Sequence, residues 1–253
     1  MAQEMDKLSR ILKRKRRRRA MMFAFISVVL VVAALVLLNI FCVVDVIKVN
    51  NETEYDTGEV LAKAGIFTGN QMLTMNPNDL ESVIEKGFPY IDSAKVEIIL
   101  PKTVSLSLIS TIPYMALDQA DGTYIYVDKS FKILECSEEK DENVVLVTGM
   151  IVDEYELGDF LSLDNSLELN VMMDIMNCLE SNGYLELLDS IDFTKKYNTI
   201  IKLDGRIEVE LGTSDDINKK IEFMSNILEK KQNDKKININ VKNYSQAHYR
   251  EFD

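Results

Sequence analysis

The 253-residue sequence is 47% apolar with only 4 Pro and 10 Gly, which excludes collagen, a low-complexity linker protein and a mostly disordered chain and leaves room for one or two domains. Three Cys and one His exclude a disulfide scaffold and a multi-histidine metal site. The net charge of -12 averages over a segregation: Lys7, Arg10 and the unbroken run Lys13–Arg19 face only Glu4 and Asp6 in residues 1–19, and the acidic excess lies beyond them.

Residues 20–44 carry no charged side chain, and Ser27 and Asn39 are the only ones more polar than Cys. As a helix this stretch would be about 37 Å long, enough to cross a hydrocarbon core of about 30 Å. A cleaved signal peptide would have a shorter apolar region and a small-x-small site, and a core helix would show a polar face. The reading is a transmembrane helix over 20–44, with the basic tail 1–19 cytoplasmic and residues 45–253 on the far side by the positive-inside rule. Beside such a span the Lys/Arg run serves orientation and headgroup attraction; the acidic body would repel a nucleic acid.

Val46, Ile47 and Val49 open a strand. A helix follows with Asp56 or Thr57 as N-cap, Val60, Leu61 and Ala64 as its apolar residues and Gly65 as its stop. A second helix starts at Asn76-Pro77, turns Leu80, Val83 and Ile84 to one face and ends at Gly87. The period then becomes two, with Val96, Ile98 and Leu100, and after Pro101-Lys102 with Val104, Leu106 and Leu108. Strand, helix, helix, strand, strand over 45–112 suits a small sheet with both helices on one face.

From Pro113 to the C-terminus short strands dominate: Tyr124–Val127, Phe131–Leu134 and Val144–Val147. A helix over 165–182, capped by Asp164, aligns Leu167, Val171, Ile175 and Leu179 and ends at Gly183; its Met172, Met173 and Met176 suit core filling. Two strands bracket Asp204-Gly205. A helix over 216–231, capped by Ser214 or Asp215, lines up Ile217, Ile221, Met224 and Leu228, keeps Lys219 and Lys220 off that stripe and sets Lys230 and Lys231 at its C-terminal end. The last strand alternates Ile237, Ile239 and Val241 with Asn238, Asn240 and Lys242 and is expected to be a sheet edge.

No G-x-S-x-G, H-E-x-x-H, P-loop, G-x-G-x-x-G or C-x-x-C occurs. The lone His248 lies near the chain end, a poor place for a nucleophile's base. No catalytic, cofactor or metal residue is assigned. Cys136 and Cys178 read better as two buried free thiols than as a bridge, and Asn51-Glu52-Thr53 and Asn243-Tyr244-Ser245 match glycosylation sequons.

The stretch Phe88-Pro89-Tyr90-Ile91-Asp92-Ser93-Ala94-Lys95-Val96, followed by Leu100-Pro101-Lys102-Thr103-Val104-Ser105-Leu106, is similar to the P-x-I-x-x-A-x-V-x-x-x-x-P-x-T signature of the bacterial FtsQ family, called DivIB in other lineages. Tyr126-Val127-Asp128 resembles the strand before that family's D-x-x-G turn, with Ser130 read as replacing the glycine, and Thr148-Gly149 resembles its L-x-G segment. The resemblance covers the whole plan of basic tail, single span, POTRA-like domain (45–112) and a β-rich α+β second domain (113–253).

It implies a non-enzymatic scaffold, without cofactor, held in the cell membrane at the division septum. Its partners would be FtsL-like and FtsB/DivIC-like proteins outside the membrane, and its role the regulation of septal peptidoglycan synthesis. In the family a partner adds a strand near the last strand of the second domain, which nominates Asn238, Asn240, Lys242, Asn243, Tyr244, Ser245 and Tyr249. The POTRA-like strand Thr103–Ser110 is a second candidate edge. The alternative is a membrane-anchored extracytoplasmic ligand-sensing module, which requires a pocket with convergent polar groups.

Overall fold

A computed structural model describes residues 21–37, 40–161, 167–229, 236–243 and 248–252. The basic run, Asp164, Lys230, Lys231, Tyr244 and Ser245 lie outside the described residues. Residues 21–37 are helical with every side chain exposed, and helix is again present at Ile40-Phe41. Among the described residues no helix is long and apolar enough to cross a membrane.

Cys42 and Val44 are 3% and 2% exposed. The Val44 N–H donates to the Asn70 carbonyl, the Val44 carbonyl accepts from Gly69, and the Cys42 carbonyl accepts from Met72. These two residues of the stretch 20–44 are therefore packed and hydrogen-bonded within the folded domain.

The described residues form two compact units, one of those up to 84 together with 93–108, the other of 85–92 and those from 109 onward. In chain order the first elements are β1 (Val46–Asn51), α1 (Thr57–Ala64), a 3-10 turn (Met72–Thr74), α2 (Pro77–Gly87), β2 (Ile91–Ile99) and β3 (Thr103–Ser110). The Asp56 carboxylate accepts the Glu59 N–H at the start of α1, and Gly65 closes the helix at φ 70°. Of the expected α2 face Ile84 is buried, but Val83 is exposed.

The sheet order is β1-β3-β2. Strand β1 runs parallel to β3, Val46 opposite Thr103 and Asn51 opposite Leu108. Strand β3 is therefore central, and the expectation that it is an edge is wrong. Its alternation puts Val104, Leu106 and Leu108 in the core, all fully buried.

Among the described residues the second unit is built on nine strands: β4 (Met115–Asp118), β5 (Tyr124–Val127), β6 (Ile133–Ser137), β7 (Val145–Thr148), β8 (Leu188–Asp192), β9 (Thr199–Leu203), β10 (Ile207–Gly212), β11 (Lys236–Asn240) and β12 (His248–Phe252). Their order in the sheet is β12-β11-β10-β9-β8-β7-β4-β5-β6. Helix α3 (Leu167–Ser181) links β7 to its parallel neighbour β8, and α4 (Ile217–Glu229) links β10 to parallel β11. One core takes Val171, Ile175 and Leu179 from α3, Ile217, Ile221 and Met224 from α4, and Val147, Ile191, Ile201, Val209 and Ile239 from the sheet. Each such side chain contributes about 1.5–3 kcal/mol by leaving water.

Met172 and Met176 join that core, whereas Met173 and Leu167 are exposed. In the β5–β6 turn the left-handed residue is Phe131, at φ 66°, so the position where a glycine would be at ease is 131 and not Ser130. Neither Ser214 nor Asp215 caps α4: the Lys220 N–H bonds the carbonyl of Asp216, the residue just before the helix.

Candidate partner-binding edge

Strand β11 does not form the edge. It pairs in parallel with β10, Glu208 opposite Asn238 and Glu210 opposite Asn240, and antiparallel on its other side with β12, Asn238 opposite Arg250, Ile239 opposite Tyr249 and Asn240 opposite His248. The sheet ends on β12. Periodicity ends at Val241, and the sequence signal for this further strand is the aromatic content of His248-Tyr249-Arg250-Glu251-Phe252.

The nominated residues divide accordingly. Asn238 donates from Nδ2 to Glu208 Oε1 at 3.0 Å, and Asn240 from Nδ2 to Glu210 Oε2 at 3.3 Å. Both amides are half-buried and engaged in holding β11 to β10. Lys242 pairs with Glu210 at 2.6 Å and is exposed, as is Asn243. Tyr249 lies on β12 itself with 45% of its surface open.

Alternation along β8–β12 leaves one sheet face polar, with Lys202, Glu208, Asn238 and Arg250 in register across four strands. A depression of about 400 Å³ on this face is lined by Asp189, Lys202, Arg206, Glu208, Lys236 and Asn238 among others. Within it Asp189 accepts the Gly205 N–H at 2.6 Å and Glu208 accepts the Asn238 amide at 3.0 Å.

Other notable side chains serve the fold. Lys220, expected on the outer face of its helix, is 2% exposed. It donates from Nζ to the Thr213 carbonyl at 2.7 Å, and burial pushes its ammonium below the ordinary 10.5 against the pull of Asp215 and Asp216. Cys136 and Cys178 are both free, but only Cys178 is buried; burial, with Asp174 adding, pushes its thiol up. Asn51 of the first sequon spends its amide on the Tyr55 carbonyl and the Thr57 hydroxyl, at 2.8 and 3.1 Å.

Residues 44–108 match the family model described as "POTRA domain, FtsQ-type". The chain is 22% identical over 226 residues to the "Cell division protein DivIB" of Clostridium botulinum strain Hall, covering 89% of this chain and 87% of that protein. The same identity and coverage hold for the DivIB of the Loch Maree strain. With an FtsQ-type POTRA domain over residues 44–108 and likeness to DivIB proteins along nearly nine-tenths of its length, the chain is similar to the FtsQ/DivIB proteins of bacterial cell division.

Proposed function

We propose that the protein is a non-catalytic divisome scaffold, anchored by one helix over residues 20–41 with its basic tail in the cytoplasm. Outside the membrane it binds FtsL-like and FtsB/DivIC-like partners at the septum and so helps regulate septal peptidoglycan synthesis. The observation that carries the reading is β12, a five-residue terminal strand that ends a nine-stranded sheet at the chain's C-terminal end. A terminal strand presents a row of backbone donors and acceptors on which an extended partner can add.

This docking strand differs from the one expected from the sequence. Asn238, Asn240 and Lys242 support the edge from within, each bonded to a glutamate of β10, while Tyr249 lies on β12 and supplies the aromatic anchor. The test is binding of the full chain, reconstituted in nanodiscs, to synthetic external segments of the FtsL-like and DivIC-like proteins of the same organism. Tyr249→Ala weakens binding by roughly 30-fold, the equivalent of about 2 kcal/mol. Asn238→Ala changes it by no more than about threefold, since it loses one neutral hydrogen bond away from the partner. A chain ending at Asn243 does not bind. Equal binding by that shortened chain, or none by the intact one, removes the reading.

A further inference from the structure

From Ala64 to Asn78 the sequence contains no Asp, Glu, Lys or Arg, although 28% of the chain is charged. Most of this stretch is the connection between α1 and α2, and connections run over the surface. Two of its side chains point inward, Ile66 at 1% and Met72 at 2% exposure, and hold it to the core. The residue following each points out: Phe67 is 52% exposed and Leu73 50%. A fixed, uncharged loop thus shows an aromatic and an aliphatic side chain to its surroundings.

Backbone hydrogen bonds locate this loop at the end of the apolar helix. The Met72 N–H donates at 3.1 Å to the carbonyl of Cys42, the first residue past Phe41, which places Leu73 beside the helix terminus. The Gly69 N–H donates to the Val44 carbonyl at 2.8 Å, and the Asn70 N–H to the Phe67 carbonyl at 3.2 Å, closing a turn over 67–70. Ile40, Phe41, Val43, Thr68 and Gly69 line one surface depression, so the turn abuts the helix end. From Phe41 to Val44 the chain advances about 10 Å at strand rise, comparable to the headgroup zone of about 5–8 Å on each side of the hydrocarbon. The charged residues on that rim, Lys102 and Asp45, pair at 3.4 Å and offset one another.

Resting on the proposed span over 20–41, we propose that Phe67 and Leu73 are embedded in the interfacial zone of the phospholipid bilayer on the side of the first unit. That unit then lies on the membrane through this loop instead of swinging on a free linker. The bonds from residues 42–44 to 69–72 leave no slack between span and domain, and the neutral rim makes the contact apolar. The surface it recognises is a bilayer interface, where aromatic side chains gather.

The chain has no Trp, so a single introduced tryptophan reports its own surroundings. Full-length Phe67→Trp and, independently, Leu73→Trp are reconstituted in phosphatidylcholine vesicles carrying bromine at shallow or at deep chain positions. Leu30→Trp reports on the span, and Tyr197→Trp, at a residue 69% exposed, gives the background. The expected result is loss of emission from Phe67→Trp and Leu73→Trp to shallow bromine, a smaller loss to deep bromine, and deep quenching of Leu30→Trp. Quenching of Leu30→Trp with none above background for the other two overturns the interfacial contact and leaves the span standing. An unquenched Leu30→Trp removes the span and the contact with it. Shielding of Phe67→Trp from aqueous iodide without bromine quenching means that protein covers the loop, which also overturns the proposal.

Discussion

The Thr111 hydroxyl donates to the carboxylate of Asp128 at 3.1 Å. The other oxygen of that carboxylate accepts the backbone N–H groups of Ser130 at 2.8 Å and Lys132 at 2.9 Å. Asp128 is 2% exposed; its bond to Lys132 is buried and the other two are partly so. They hold the turn in which Phe131 takes its left-handed conformation. Asp128→Ala orphans those donors and is expected to cost about 2–4 kcal/mol, while Thr111→Val costs about 1. Urea unfolding of the two variants checks both the size and the order; equal losses would mean that the turn does not depend on the carboxylate.

Gly149 has φ +81°, and a Cβ there would lie 2.4 Å from the Thr194 nitrogen and 2.6 Å from the Phe193 carbonyl carbon. Gly122 has a similar φ of +88° but nothing within 4 Å of a Cβ. Gly149→Ala is therefore expected to cost more than about 3 kcal/mol, combining strain with a backbone clash. Gly122→Ala costs about 1–2, the strain alone. Thermal melts of the pair separate the two causes.

A fragment beginning at Asp45 discards buried Cys42 and Val44 and the three backbone bonds they make with 69–72. Against a fragment beginning at Ile40, its first unit is expected to be less stable by about 2–4 kcal/mol. Hydrogen exchange of the β1 and β3 amides reads this unit by itself. Equal protection would show that residues 42–44 add nothing to it.

Tyr114 donates from its hydroxyl to the Leu185 carbonyl at 3.2 Å, and burial, with Glu186 and Glu180 adding, pushes its pKa from 10.0 up to about 12. A phenol whose folded pKa is raised stabilises the fold fully below pH 10.0 and loses that contribution as pH rises to about 12. Tyr114→Phe is expected to cost about 1 kcal/mol near neutral pH. The gap between wild type and variant should close between pH 10 and 12 when stability is measured against pH; a gap that stays constant would refute the shift.

The order of elements in the first unit was legible in the sequence because each carries its own local signal. Asp56 and Gly65 bound one helix, Asn76-Pro77 opens the next, and Val104, Leu106 and Leu108 alternate in a strand with one wet face. Strands β4 and β8 were not legible. Met115, Ala116 and Leu117 are all fully buried, and a strand covered on both faces in a parallel pair shows no alternation to read.

By itself the sequence determined the charge segregation, the apolar N-terminal stretch and the two-part α+β plan, which follow from composition and near-neighbour pattern, while its motifs carried the resemblance to the family. Tertiary structure alone decided which strand is central and which is terminal. Strand β3 lies between β1 and β2, and β11 between β10 and β12, because edge position depends on pairing between segments far apart in the chain. The same long-range pairing drew Cys42 and Val44 out of the apolar stretch, turned Asn238 and Asn240 into supports and set Tyr249 on the last strand, none of which periodicity can encode.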